Sequence, residues 1–158
     1  MNRELEMNPN KLVAYLGKPC KEFTKADIIR YISDNYPAPK TFKDTLYASH
    51  VLQADAIKLA IEAHRRNKGF CWGSLYWQLG NCWPVSSDSS IDYEGNWKGL
   101  HYIVKKAFED RLVSGYIHND TLDVYIVTDR LKPEIGLLEI EVLGFDGKSY
   151  SKRNVKAS

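Results

Sequence analysis

The sequence predicts an α/β unit followed by a smaller unit of antiparallel strands. A long amphipathic helix pattern precedes a near-continuous apolar run, and a second helix pattern follows after a long polar loop. Helix, buried strand, long loop and helix in this order are typical of a βα barrel. Later in the chain the pattern changes to short strands joined by turns, which indicates a separate unit.

The helices of the first unit are predicted from apolar spacing and capping residues. A short helix is expected after Thr24, whose spacing to Asp27 resembles a capping box. A longer helix is predicted over 42–66, with Thr41 and Asp44 as its cap. Its apolar positions cover so much of its circumference that we expect burial on more than one side. These positions include Tyr47, Val51, Ala54, Ile57, Leu59 and Ile61.

The apolar run over 70–79 is of strand length and rich in aromatic residues. Apolarity that is nearly continuous favours a parallel strand covered on both faces. Gly80 and Asn81 are expected to turn the chain into a long polar loop. A further helix is predicted over 97–110.

The second unit is predicted from alternating patterns at 122–128 and 137–143. In the later strand, Glu139 and Glu141 alternate with apolar residues and are expected to face water. The Gly-rich run 144–147 predicts a hairpin turn. These are the features of antiparallel strands with one solvated face.

Charge and composition exclude several classes of partner and cofactor. The formal net charge of +2 is too small to predict binding to nucleic acid or to an anionic membrane. No apolar stretch approaches the ~20 residues that span a bilayer. The three cysteines include no Cys-x-x-Cys pair and have no His at metal-binding spacing. We therefore expect no metal and no cofactor.

The strongest functional signal lies in residues 72–102. All four tryptophans of the chain fall there: Trp72, Trp77, Trp83 and Trp97. Polar residues beside these rings include Gln78, Asn81 and Asp88. Flat rings cover the C–H face of a pyranose, while amides and carboxylates bond its hydroxyls. This composition predicts a sugar-binding surface.

Several motifs in this stretch also resemble a known family. They are Leu75-Tyr76-Trp77-Gln78-Leu79-Gly80-Asn81-Cys82-Trp83-Pro84-Val85, then Ser89-Ser90-Ile91-Asp92-Tyr93, then Gly95, Trp97-Lys98 and Leu100-His101-Tyr102. Together they resemble glycoside hydrolase family 2, and within it the β-mannosidases. The chain departs from the family at Gly80-Asn81, where Asn-Asp is usual, and so lacks a carboxylate near the sugar. The resemblance covers residues 36–150 approximately.

The resemblance implies an α/β fold in which both units are incomplete. Residues 1–114 would be the C-terminal part of a (β/α)8 catalytic barrel, and residues 115–158 the start of an immunoglobulin-like β-sandwich. A whole barrel needs roughly 250 residues and a sandwich about 100. We therefore expect a segment of a larger glycosidase, whose unpaired sheet edges favour homo-oligomers.

The implied function is removal of terminal β-linked mannose with retention. Retaining enzymes use two carboxyl groups about 5–5.5 Å apart. In the family, the nucleophile follows Ser in a Ser-Glu-aromatic-Gly motif and the acid/base follows Asn. Neither a Ser-Glu nor an Asn-Glu pair occurs here, so the resemblance predicts no catalytic residue in this chain. The family's glycan-degrading role favours the bacterial periplasm or secretion, with the cytoplasm as the alternative.

Other functions stay open on sequence grounds. In the first alternative, the larger glycosidase is a β-galactosidase, β-glucuronidase or exo-glucosaminidase of the same family. A non-catalytic carbohydrate-binding module is another alternative, and a chain that binds other proteins is a third. Of these alternatives, only the other glycosidases require catalytic groups outside this chain.

The predicted substrate contacts are Trp77, Gln78, Asn81 and Trp83. Trp77 ends the predicted strand at its carboxyl end, where barrel enzymes place their sites. The resemblance implies that Trp77 lines the floor of the sugar subsite. Trp72 and Tyr76 are expected to fill the core instead, and Asp92 is expected to hold a turn.

Overall fold

The computed structural model describes residues 25–157, which fall into two compact units divided between Glu109 and Asp110. Thr24, half of the predicted cap of the first helix, lies outside the described residues. The first unit contains the helices α1 (Lys25–Asn35), α2 (Phe42–Arg66) and α3 (Gly99–Ala107). Among residues 25–157, no helix has the length and apolarity needed to cross a membrane.

Helix α2 begins and ends at the predicted residues, and its cap is the predicted one. The Asp44 amide donates to Thr41 Oγ1 at 3.1 Å, and the Thr41 amide donates to Asp44 Oδ2 at 3.0 Å. The two bonds form a complete capping box, which satisfies backbone donors that the first helical turn leaves unpaired. The Thr41 bond also holds the pKa of the Asp44 carboxyl below its ordinary value.

The core of the first unit lies between α2 and α3. Ile61 of α2 packs with Leu100, Val104 and Ala107 of α3, and all four are buried. Removing these apolar side chains from water contributes most of the stability at this contact. Arg65 Nη1 donates to the carbonyl oxygens of Ala107 at 2.6 Å and Glu109 at 2.7 Å. The arginine thus pairs carbonyls that the end of α3 leaves free.

The prediction that α2 is buried on more than one side is met only in part by the described residues. Ala54 and Ile61 are buried, but Tyr47 and Leu59 are exposed on the same helix. Apolar periodicity reports how much surface needs cover, and it does not say which part of a protein supplies that cover. The described residues therefore leave part of α2 without cover, at Tyr47 and Leu59.

The predicted buried strand over 70–79 is also corrected. These residues run without a strand partner among the described residues, and Phe70 is 95% exposed. Just after this run, Gly80 forms an isolated parallel bridge with Ile91. A parallel strand needs neighbouring strands to pair its backbone groups. The described part of the chain does not provide such neighbours.

The second unit consists of two antiparallel hairpins. Its strands are β1 (Arg111–His118), β2 (Thr121–Thr128), β3 (Gly136–Leu143) and β4 (Ser149–Ala157). Strand β1 pairs with β2, and β3 pairs with β4, in separate two-stranded sheets. The predicted strands at 122–128 and 137–143 are confirmed as β2 and β3. Glu139 and Glu141 are exposed on β3, as predicted.

Strand β1 was not predicted, because its residues were assigned to a domain boundary. The chain divides before Asp110, and the predicted boundary after residue 114 falls inside β1. Asn119 and Asp120 form the turn to β2 with φ values of 44° and 58°. Such left-handed conformations are characteristic of two-residue hairpin turns, and Asn and Asp tolerate them well. The Asn119-Asp120 pair could therefore have predicted this turn, and with it strand β1.

An ion-pair cluster fixes the connection between the hairpins. Arg111 donates to the Glu134 carboxylate through Nε at 2.6 Å and Nη2 at 2.7 Å. Arg130 Nη1 donates to the same carboxylate at 3.2 Å. A bidentate guanidinium–carboxylate pair is more directional than a single ion pair. It ties the start of β1 to the segment that leads into β3.

Replacement of Thr41 by Ala tests the cap of α2. We expect Thr41→Ala to lower the free energy of unfolding of the helical unit by about 1 kcal/mol, because a backbone donor loses its partner. Urea unfolding followed by far-ultraviolet circular dichroism measures this. Lys43→Ala, in the same exposed turn, is the control and is expected to change stability by less than about 0.5 kcal/mol. Equal effects of both changes would contradict the role of the cap.

Candidate functional site

The site is built on the aromatic segment, residues 72–83, and the loop that follows it. The Ser90 amide donates to the Gln78 carbonyl at 2.9 Å, and the Ile91 amide donates to the Leu79 carbonyl at 2.8 Å. These bonds substitute for a strand ladder on one side of the segment. The backbone after Trp77 is thereby held against residues 90 and 91.

The hydroxyl of Ser90 joins three elements of the first unit. Ser90 is fully buried, and its Oγ donates to the Leu79 carbonyl at 3.0 Å. The same oxygen lies 3.1 Å from Tyr76 Oη and 3.0 Å from His101 Nδ1 on α3. Tyr76 also packs against the core between α2 and α3. The aromatic segment, the loop and α3 therefore meet at one buried oxygen.

Lys98 organises the other side of the loop. Its Nζ donates to the Ser87 carbonyl at 3.1 Å and to Ser89 Oγ at 2.9 Å. Burial lowers the pKa of the Lys98 amine, and the carboxylates of Asp92 and Asp88 oppose that shift. The ammonium thus replaces water as the partner of the loop's polar atoms.

His50 on α2 belongs to the same electrostatic environment. Burial lowers the pKa of its imidazole, and the positive charge of Lys98 lowers it further. A neutral imidazole is therefore favoured beside the ammonium.

Asp92 holds a turn, as predicted. Its Oδ1 accepts the amides of Glu94 at 3.0 Å and Asn96 at 2.8 Å, and its Oδ2 accepts Asn96 Nδ2 at 3.0 Å. The side-chain bond from Asn96, followed by its backbone bond, lowers the pKa of the Asp92 carboxyl. Gly95 within this turn has a φ of 88°, a conformation that glycine adopts without steric cost.

The four predicted substrate contacts divide into two kinds. Trp77 is 78% exposed and Trp83 is 68% exposed, so both indoles present apolar surface. Gln78 is half-buried, and the peptide bond between Trp77 and Gln78 is cis. Asn81 is half-buried and holds the loop: its Nδ2 donates to the Val85 carbonyl at 3.0 Å, and its Oδ1 accepts from Ser87 Oγ.

The other aromatic predictions have mixed outcomes. Trp72 is 77% exposed, so the expectation that it fills the core is wrong for the described residues. Tyr76 does pack against the core, as predicted. The reason for the difference is position: Tyr76 packs against the core between α2 and α3, whereas the described residues leave most of Trp72 uncovered.

Sequence reasoning assigned no binding or catalytic role to Ser90, His101 or Lys98. All three stand in the quoted motifs, but a polar run such as Ser86 to Ser90 is ordinarily read as a solvated loop. The structure buries Ser89 and Ser90 completely. Among residues 25–157, no three His, Cys, Asp or Glu side chains converge in a way that would hold a metal ion.

Comparison with known proteins identifies the class. No family model matches the chain. It is 41% identical to the β-mannosidase of Capra hircus in an alignment of 97 positions that covers 57% of this chain and 11% of that protein. It is 34% identical to β-mannosidase A of Aspergillus terreus in an alignment of 132 positions that covers 77% of this chain and 14% of that protein.

A solved structure gives the same result at the level of the fold. The crystal structure of the β-D-mannosidase from Dictyoglomus thermophilum superposes with a TM-score of 0.70 at 34% identity. The match covers 84% of this chain and 17% of that one. The chain thus corresponds to a segment of a glycosidase. More particularly, it is β-mannosidase-like, which confirms the predicted resemblance to that branch of glycoside hydrolase family 2.

The Asp92 turn makes a prediction about pH dependence. The folded-state pKa of Asp92 is lowered, so its contribution is fully present above the ordinary value of ~3.9 and is lost as pH falls through the folded value. Asp92→Asn removes this titration. We expect the stability difference between the unaltered chain and the variant to shrink as pH is lowered from about 5 to below the ordinary pKa.

Urea unfolding of both chains at a series of pH values measures that difference directly. Subtracting the variant removes the contribution of Asp44, whose pKa is also lowered. A difference that stays constant over this range would show that the turn does not depend on the ionised carboxylate.

Proposed function

We propose that this chain is the substrate-binding segment of a retaining β-mannosidase and that Trp77 stacks on the mannose ring. The observation that carries this proposal is an exposed indole on an anchored backbone. Trp77 is 78% exposed, while the carbonyls of the next two residues are bonded to Ser90 and Ile91. The β-mannosidase relatives support a carbohydrate as the partner.

Stacking suits the chemistry of a pyranose. One face of the sugar carries C–H groups, and covering it with an indole removes apolar surface from both partners. A fixed ring also orients the glycosidic bond, which lowers the entropic part of the barrier. Trp77 would therefore form the floor of the subsite.

The remaining predicted contacts would line the edge of the subsite. Trp83 offers a second exposed ring. The amide of Asn81 retains one Nδ2 hydrogen and one Oδ1 lone pair beyond the bonds to Val85 and Ser87, so a hydroxyl of the sugar would still find a partner there. Gln78, half-buried beside Trp77, would bond a further hydroxyl.

The catalytic carboxylates would be supplied from outside this chain. Retention requires two carboxyl groups about 5–5.5 Å apart. Asp92, in the loop beside the aromatic segment, has both oxygens committed to its own turn. Glu139 and Glu141 lie on a strand of the other compact unit. We therefore assign substrate binding to Trp77, Gln78, Asn81 and Trp83, and we assign no proton transfer or nucleophilic attack to this chain.

The finer architecture follows from the same reasoning. The first unit would be the end of a (β/α)8 barrel, because the exposed aromatic segment and the exposed side of α2 need cover and the segment needs parallel neighbours. The two hairpins would begin an immunoglobulin-like sandwich. Where that cover is missing, self-association through the same apolar surface is expected.

A chimeric enzyme tests the proposed function. The matched segment of the Dictyoglomus thermophilum β-D-mannosidase would be replaced by residues of this chain. We expect the chimera to hydrolyse an aryl β-mannoside, whereas the 158-residue chain alone stays at background. In the chimera, Trp77→Ala should lower kcat/KM by about tenfold to hundredfold, which corresponds to roughly 1.4–2.7 kcal/mol of transition-state binding.

Trp72→Ala is the matched control, because Trp72 has the same chemistry and nearly the same exposure. It should leave kcat/KM of the chimera within about twofold, a difference of roughly 0.4 kcal/mol. Thermal unfolding of each variant separates loss of folding from loss of binding. A folded chimera that keeps full activity without the Trp77 indole would overturn the proposal, as would hydrolysis of β-galactosides in preference to β-mannosides.

A further inference from the structure

We propose that Ser90 is a positioning residue for Trp77. It acts through hydrogen bonds that hold Tyr76, the Gln78–Leu79 backbone and His101 together. The inference rests on the proposed function for its purpose, since the residue being positioned is the one that would stack on the sugar. The hydrogen bonds on which it is based lie within this chain and can be tested without the proposed function.

Ser90 bonds the aromatic segment on both sides of Trp77. Before Trp77, the hydroxyl of Tyr76 lies 3.1 Å from Ser90 Oγ. After it, the Ser90 amide donates to Gln78 and the Ser90 hydroxyl donates to the Leu79 carbonyl. With its neighbours fixed, the backbone of Trp77 has little freedom to rotate, although its indole is mostly exposed.

The hydroxyl's single proton determines the direction of every bond at this point. The Leu79 carbonyl has no hydrogen to give, so the Ser90 hydroxyl is the donor in that pair. The two lone pairs of Ser90 Oγ then accept from Tyr76 Oη and from His101 Nδ1. His101 must therefore carry a hydrogen on Nδ1.

The imidazole of His101 is itself held in place. The ring of Trp97 lies 4.3 Å from it, measured between centroids. A neutral histidine free in water favours a hydrogen on Nε2, whereas this environment requires the hydrogen on Nδ1. The tautomer of His101 is therefore a spectroscopic signature of the Ser90 arrangement, one that a merely space-filling serine would not produce.

Ser89 provides a matched comparison within the same chain. It is as buried as Ser90, but its hydroxyl lies with Lys98 Nζ at 2.9 Å and Ser87 Oγ at 3.0 Å. These contacts hold the loop, and they reach the aromatic segment only at Asn81, through the Ser87 hydroxyl, and not at the residues next to Trp77. Both serines lose a buried hydroxyl when changed to alanine, so their effects on stability should be similar.

The experiment uses the full 158-residue chain with 15N-labelled histidine and fluorinated tryptophan. Spectra are recorded at about pH 8.5, where an ordinary imidazole is neutral. We expect the unaltered chain to show His101 with its hydrogen on Nδ1. Ser90→Ala should shift His101 toward the Nε2 form and move the fluorine resonance of Trp77, whereas Ser89→Ala should change neither.

Tyr76→Phe is a second variant, which keeps the ring in the core and removes one bond from the same oxygen. It should move the Trp77 resonance and leave the His101 tautomer unchanged. If Ser90→Ala fails to fold, this variant and the unaltered chain still decide the inference. An Nε2 hydrogen on His101 in the unaltered chain would overturn it, as would equal Trp77 shifts in Ser89→Ala and Ser90→Ala.

The link to function is tested separately in the chimera. There, Ser90→Ala should lower kcat/KM by about tenfold, since small misplacements of a binding group are costly, and Ser89→Ala should change it by less than twofold. An inactive chimera would count against the proposed function and not against the spectroscopic result. An active chimera indifferent to Ser90→Ala would overturn the positioning role.

Discussion

The aromatic segment has backbone groups that need partners and, among the described residues, no strand to supply them. The Ser90 and Ile91 amides and the Ser90 hydroxyl provide those partners by bonding the carbonyls of Gln78 and Leu79. An unpaired buried donor or acceptor costs about 1–3 kcal/mol, so the segment and the loop depend on each other. The burial of Ser90, the packing of Tyr76 and the placement of His101 all follow from this requirement.

Because of this constraint, the backbone next to Trp77 is held by hydrogen bonds while its indole remains exposed. The backbone after Trp77 is bonded to the loop, whereas the indole itself is mostly exposed. If Trp77 stacks on a sugar as proposed, a ring on an already ordered backbone would lose little entropy on binding. Lys98, Asp92 and Asn96 extend the same logic by fixing the rest of the loop through its own polar atoms. The similarity to β-mannosidases gives this geometry its chemical context.

The sequence alone predicted features formed by residues close together in the chain. It did not predict features that depend on contacts with distant residues. The cap of α2 was predictable because Thr41 and Asp44 act within one helical turn. The run over 70–79 reads as a buried strand because its apolarity is real, but pattern cannot say whether neighbours are present in the same chain. Serines at 87, 89 and 90 read as a solvated loop, since their partners on Lys98 and His101 are brought close only by α3. The motif resemblance predicted Trp77 as a sugar contact, and it gave no indication of the residues that hold its backbone.

Amide hydrogen exchange measures the central constraint most directly. The amides of Ser90 and Ile91 donate to carbonyls of the aromatic segment, so they should be protected nearly as well as the amide of Val104 in the core helix α3. The amides of Cys82 and Trp83, in the exposed part of the segment, should exchange rapidly. If Ser90 and Ile91 instead exchange as fast as Cys82 and Trp83, the loop does not hold the segment and the account fails.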